Sequence, residues 1–504
     1  MRTKKAMLNI IVSLIVQFIS IICGLIVPRL IISSYGSDIN GLIASINQFL
    51  SYIVLLEAGV GGVVRAALYK PLSKKDNLGI SKILIATEKF FRKVAYIFIL
   101  YLIFISLIFP YIVHGDNSYF FTFSLVIIIG VSTFFQYYFG ISYQILLQSD
   151  QKQYINASIQ IITITLNTIF TVLLIKFGAS IQTVKLVTSF IFIIRPIILN
   201  IYVIKKYKII KNCDPDNKAI SQRWDGLGHH IAFLIHNNTD IILLTLFSNV
   251  NMVSVYSVYF MIVSSVKTLV VNFSVGLEAA LGDMIAKNEN EKLKEVFGMY
   301  EILSFSITTI IFTSTVILIL PFISIYTSGI KDANYYRPIF AYILILSQAM
   351  YCIRVPYKTA VLAAGHYKET KKGEFIEAGI NIGISILLVN KYGITGVVIG
   401  TVVAVIFRTI QYAYYLSNNM LSGVFKSFIK KILIYLCTSG LILLIIFRLD
   451  EPHINSYFKW GIYSIFVVVI STIITSLVSL FFYKNEIKNI IQKVKEILIF
   501  RKKV

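Results

Sequence analysis

Five cations stand inside apolar runs, where charge is costly: Arg29, Arg65, Lys267, Arg354 and Arg408. Ionisable groups at such depth normally face the protein interior or a water-filled cavity. The planar fork of arginine grips phosphate oxygens through paired hydrogen bonds, which the point charge of lysine does not. A buried surplus of positive charge therefore suits a phosphate or pyrophosphate, and these five are the candidate substrate-binding residues of a cationic cavity. Arg195 and Lys358 lie nearer the ends of their runs and are expected to snorkel to headgroups. The deep acids are fewer, namely Glu57, Asp240 and Glu278, while Glu301, Glu374 and Glu377 fall near helix ends and are expected to reach water. Glu57, Gly61 and Arg65 are spaced by four, so a continuous helix puts them on one face. Glu57 reads either as the partner of an arginine or as the carrier of a coupling proton, and Asp240 likewise as a coupling or structural acid. Asn237 and Asn238 precede it in the run Asn-Asn-Thr-Asp. They form a candidate polar cavity wall, for sugar hydroxyls or a coupling cation, or else make interhelical hydrogen bonds.

Other chemistries find no support in residue type and spacing. His229, His230 and His236 lack an acidic or thiol partner spaced to complete a metal site. The four cysteines, at 23, 213, 352 and 437, suggest neither a metal site nor a disulfide framework. No nucleotide-binding loop and no Ser/His/Asp cluster occurs, so no cofactor and no enzymatic activity are expected.

The elements that must position these residues are membrane spans. The chain of 504 residues is 57% hydrophobic and only 14% charged, with a mean hydropathy of +0.78, against roughly 25% charged residues in a soluble domain. Apolar stretches of about 20 residues recur along its length, each enough to cross a bilayer. They are continuous rather than alternating, which favours helices over a β-barrel. The fold expected is an all-α polytopic membrane protein with about fourteen transmembrane helices. The first apolar run is too long for a cleavable signal peptide. With both termini cytoplasmic, inner segments carry 33 of the 47 Lys and Arg, outer loops 7 and the spans 7. That asymmetry sets the orientation. The net charge of +23 is thus largely an orientation signal and an attraction to membrane lipids, and nucleic acid is excluded as a partner.

The polar stretch 205–228 contains Pro215 and separates a six-helix bundle at 1–204 from a second at 229–416. Two more helices follow at 417–483, and 484–504 reads as a basic amphipathic cytoplasmic tail. Arg65-Ala-Ala-Leu has a counterpart 213 residues later in Glu278-Ala-Ala-Leu. The halves therefore read as parallel repeats about an axis along the membrane normal.

Two six-helix repeats plus two helices, the stretch PRLIISSYGSDINGL, the stretch LLEAGVGGVVRAALYKPLSKKD and the stretch NNTDIILLTLFSNVNMVSVYS resemble bacterial polysaccharide flippases. These are Wzx-like members of the multidrug/oligosaccharidyl-lipid/polysaccharide exporter superfamily. The resemblance implies two bundles in a V around a central cavity that opens alternately to either side of the cytoplasmic membrane. It implies undecaprenyl-pyrophosphate-linked oligosaccharide as substrate, with polymerase and glycosyltransferases of the same pathway as partners. Related lipid flippases keep essential arginines in spans one, two and eight. Arg29 and Arg65 match in type and span, and Lys267 stands where span eight would carry arginine. Two other functions remain open: a drug or cation antiporter of the same superfamily, which needs an acidic cavity, and a membrane polymerase or acyltransferase of surface glycans. Membrane glycosyltransferases usually carry acidic motifs in sizeable outer loops, and the loops here are short.

Overall fold

In a computed structural model the chain is helical, and the structure describes residues 2–57, 59–113, 117–210, 212–217, 221, 238–272, 275–449, 454–489 and 492. Helices α1 (Arg2–Tyr35), α2 (Ser37–Leu50), α3 (Val54–Glu57), α4 (Val60–Lys74), α5 (Asn77–Ile112), α6 (Tyr119–Phe135), α7 (Ile141–Ser149), α8 (Gln153–Lys176) and α9 (Ile181–Lys206) come first. They are followed by α10 (Asn238–Phe247). Then come α11 (Val250–Asn272), α12 (Val275–Ala286), α13 (Asn290–Tyr326), α14 (Pro338–Ala363), α15 (Tyr367–Tyr392), α16 (Ile394–Asn419), α17 (Val424–Phe447) and α18 (Tyr457–Phe482). Among the described residues, 13 helical segments are long and apolar enough to cross a membrane. The span expected at 229–248 and the 205–228 stretch lie partly outside the described residues, as does most of the 484–504 tail. Residues 1–257 form one compact unit and 258–504 another.

Local chemistry sets the boundaries. Asp76, Ser118, Ser180 and Ser456 each accept a hydrogen bond from a first-turn backbone N–H and so start α5, α6, α9 and α18. The turn between α1 and α2 is a single residue, Gly36, at φ 91°, a conformation that costs glycine nothing. The element pattern repeats: Ser37, Asn77 and Ile181 open α2, α5 and α9, and Val250, Asn290 and Ile394 open α11, α13 and α16, in each case 213 residues later.

The second span departs from the continuous helix expected over 39–67. Helix α3 ends at Glu57, and Gly59, at φ 87°, begins a new segment, α4. A left-handed residue cannot continue a right-handed helix. Glu57 and Arg65, eight residues apart, therefore sit on separate segments, and the spacing by fours does not place them on one face.

In the first unit, apolar side chains such as Leu42, Ile46, Val64, Phe91 and Leu146 form one core. Here α2 meets the start of α11 at backbone distance. Asn40 donates to Ser254 Oγ at 2.8 Å, and Ser45 and Thr245 share a bond of 2.8 Å. A β-carbon at Gly41 would fall 1.7 Å from the Val250 carbonyl oxygen. Because the obstacle is backbone, Gly41→Ala is expected to destabilise the protein by at least ~1–3 kcal/mol, read as a lower unfolding temperature in detergent.

In the second unit, α17 and α18 dock on α13 through hydroxyls as well as through apolar groups such as Phe305, Phe428, Ile317 and Ile442. Thr313 donates to Ser439 at 2.9 Å and Ser314 to Ser471 at 3.2 Å, while Trp460 Nε1 donates to the Leu318 carbonyl at 3.1 Å. The buried face of α18 is Val467, Ser471, Thr475 and Ser479. Its opposite face exposes Ile465, Val469, Ile473, Leu477 and Phe481. Small polar groups inside and apolar groups outside is the pattern expected where the outside is lipid.

Candidate functional site

The candidate residues fall into three kinds of environment. In the first unit, Arg29 follows Pro28 inside α1 and is half-buried. Arg65, also half-buried, donates from Nη1 to Gln148 Oε1 of α7 at 3.0 Å. A β-carbon at Gly61 or Gly62 would lie 4.0 Å from a guanidinium nitrogen, so these glycines leave Arg65 uncrowded. Both cations thus stand in half-open settings, and the hydrogen-bond partner described for Arg65 is uncharged.

The two acids form the second kind. Tyr137 OH donates to Glu57 Oε2 at 3.0 Å, from a π-helical turn that separates α6 from α7. Tyr256 OH donates to Asp240 Oδ2 at 2.7 Å in a buried setting. A phenol donates to a carboxylate and accepts from a carboxylic acid, so each pair tolerates either protonation state. Asn238 donates to Ser51 Oγ at 3.4 Å, and Asn237 lies outside the described residues.

The third environment belongs to the second unit. Arg354 on α14 and Arg408 on α16 are 4% and 1% exposed. Arg354 Nη1 donates to Glu377 Oε1 at 2.6 Å. Arg408 lies 3.7 Å from Glu377 Oε2 and 3.4 Å from Glu374 Oε1. It also donates to Gln411 Oε1 at 2.6 Å and to Tyr412 OH at 2.9 Å. Helix α15, which carries both acids, passes so close that a β-carbon at Gly373 would sit 2.0 Å from Arg408 Nη1. Two cations face two carboxylates here, and the cluster is neutral in sum. Lys267 on α11 joins it through an aromatic ring: its Nζ lies 4.9 Å from the centre of Tyr351, and Arg354 lies 4.6 Å from the same ring. Among the described residues no carboxylate lies within ion-pair distance of Lys267.

No protein-family model matches the chain, nor does any curated protein in sequence. Solved structures do. The lipid II flippase MurJ in an inward closed conformation aligns with a TM-score of 0.69 at 18% identity, over 95% of this chain and 100% of that one. An inward-facing multidrug resistance MATE family transporter of the MOP superfamily aligns with a TM-score of 0.65 at 13% identity, over 82% and 99%. A eukaryotic MATE transporter aligns at 0.59 and 13%, over 85% and 98%. The chain has the fold of these membrane transporters.

Within that fold, several charges differ from expectation. Glu377 and Glu301 do not reach water at helix ends. They are 5% and 2% exposed and hold buried cations, Glu377 as above and Glu301 through Lys431 of α17 at 2.5 Å. Tyr357 OH also donates to Glu301. Lys431 has no counterpart among the sequence-derived candidates, because it follows Lys430 at a helix start, where lysines usually snorkel. Arg195 does not snorkel either, since Nε and Nη2 donate to Asn156 Oδ1 on α8 at 3.2 and 3.1 Å. Glu278 is exposed.

Proposed function

We propose that the protein is a flippase of the multidrug/oligosaccharidyl-lipid/polysaccharide exporter superfamily. It moves undecaprenyl-pyrophosphate-linked oligosaccharide units across the bacterial cytoplasmic membrane for capsule, exopolysaccharide or O-antigen-type synthesis. What supports a lipid-linked substrate over a drug is the reach of the structural likeness. The lipid II flippase accounts for 95% of the chain, and the MATE transporters for 82% and 85%.

In this reading Arg29, Arg65 and Lys267 neutralise the pyrophosphate. A charge at the bilayer centre costs several kcal/mol or more, so fixed counter-charges lower the barrier for a headgroup that carries more than one. Arg354 and Arg408 act less directly: held by Glu374 and Glu377, they fix α14, α15 and α16 and orient Tyr351 beneath Lys267. Glu57 and Asp240, each on a tyrosine hydroxyl, are the carriers of a coupling proton, and an ion gradient supplies direction. Glycan-pathway enzymes are partners in the membrane.

The test is translocation in liposomes that hold the purified protein and a fluorescent undecaprenyl-pyrophosphate oligosaccharide. With protein present, the pool accessible to a membrane-impermeant quencher should rise from the outer-leaflet half toward the whole. An unchanged pool, with ethidium transported in the same vesicles, would favour the antiporter.

A further inference from the structure

A pocket of about 560 Å³ in the first unit is lined by three cations of α5, Lys89, Arg92 and Lys93. Pro215 and Asn217, from a separate stretch, also line it. The stretch that carries them is pinned to the start of α5: Ile210 N–H donates to Ser81 Oγ at 2.9 Å, and Asp216 N–H donates to the Lys82 carbonyl at 3.2 Å. Cations outnumber the acids paired with them among the α5 residues that line the pocket. Glu88 approaches Arg92 at 3.7 Å, and among the described residues neither Lys89 nor Lys93 has an ion-pair partner.

The position of the pocket along α5 identifies its environment. A helix of 36 residues is about 54 Å long, against a hydrocarbon core of about 30 Å. One end must therefore stand outside the core, and the charged end at 77–93 is the one that can. Beyond it, an exposed apolar stripe recurs at helical spacing: Ile97, Leu100, Phe104 and Leu107, at 49%, 69%, 58% and 48% exposure. Ile97 belongs to both the pocket and this stripe. The pocket therefore sits where hydrocarbon gives way to headgroups, and it opens toward the lipid-facing side of α5.

We propose that this pocket binds the phosphate headgroup of an anionic phospholipid, with an acyl chain laid along Ile97 to Leu107. The cations match the phosphate charge, and the stripe matches the chain. Pro215 and Asn217 cover the headgroup, which separates this site from ordinary lipid contact. A free phosphate or pyrophosphate would meet the same cations but gain nothing from the stripe. The proposal does not depend on what the protein transports.

Native mass spectrometry of the full chain in detergent tests it with three probes: dimyristoyl phosphatidylglycerol, dimyristoyl phosphatidylcholine and inorganic pyrophosphate. Phosphatidylglycerol should remain bound under activation that strips phosphatidylcholine, and pyrophosphate alone should bind far more weakly. Lys89→Gln/Lys93→Gln should weaken phosphatidylglycerol binding about tenfold or more. This variant leaves Arg92 on Glu88 and on the Tyr138 ring, so its melting temperature should match the parent. Lys371→Gln/Lys372→Gln, two exposed lysines of α15, should leave binding unchanged. Equal retention of the two lipids by the parent protein would overturn the site without recourse to any variant. Undiminished phosphatidylglycerol binding in the first variant, or equally tight binding of pyrophosphate, would do the same.

Discussion

Glu377→Gln is expected to destabilise residues 258–504 by about 3–5 kcal/mol, because it strips a buried ion cluster of its shared acid. That is a large share of the stability of a typical protein, roughly 5–15 kcal/mol. Arg354 and Arg408 would keep their charges at 4% and 1% exposure. Arg354 would lose the carboxylate 2.6 Å away, and Arg408 would retain Glu374 at 3.4 Å. Arg354→Gln is expected to be milder, since Glu377 would still have Arg408 at 3.7 Å. Arg354→Met/Glu377→Met removes both members of the close pair and should recover much of the loss, as apolar replacement of a buried pair is often neutral. Unfolding temperature in detergent and protein level in the membrane are the readouts. A Glu377→Gln variant that melts with the parent would mean that the cluster does not carry the charges assigned to it.

The sequence exposes the fold because hydropathy acts over the length of a span. About fourteen apolar stretches suffice to give an all-helical membrane chain, and helix starts repeated at 213 residues echo the Arg65 and Glu278 motifs. The break at Gly59 is another matter. A glycine in a membrane helix serves close packing as well as it serves a break, and only its φ of 87° decides. The pairing of Glu377 was masked by its neighbours, since Tyr-Lys-Glu-Thr-Lys-Lys at the start of α15 reads as a water-facing end. A signal was nonetheless present. Thr370, Gly373, Glu377, Asn381 and Ser385 recur at helical spacing and all are buried, the small and polar stripe that membrane helices turn toward one another. Lys430 and Lys431 present the same ambiguity, because adjacent residues point about 100° apart and only one can face the bundle. The candidate site is legible in the sequence only as a list of deep charges. Which charges neutralise one another depends on contacts between helices, and spacing along one helix does not encode them.

Arg65→Gln and Lys267→Gln are expected to abolish most transport while leaving the fold intact, the reverse of the Glu377 phenotype. Arg65 is half-buried and its described hydrogen bond goes to the neutral Gln148. Lys267 rests on the faces of Tyr351 and Phe260. Neutralising either strands no buried carboxylate, so the stability change should stay within about 1 kcal/mol. The substrate would feel the loss differently. A hydrogen bond to a charged group contributes roughly 1.5–3 kcal/mol, and a barrier raised by that amount slows crossing about 10- to 150-fold. Arg29→Gln should behave alike, within the same cationic path. Arg65→Lys keeps the charge but loses the two-pronged grip, so it should retain part of the rate. Lys267→Arg should retain activity, since arginine stacks on aromatic rings at least as well as lysine. Liposome translocation of the fluorescent lipid-linked oligosaccharide gives the rate, and the unfolding temperature gives the fold. If the Gln variants at positions 29, 65 and 267 all carry the oligosaccharide at the parent rate, counter-charge does not lower the barrier and the cationic path is wrong.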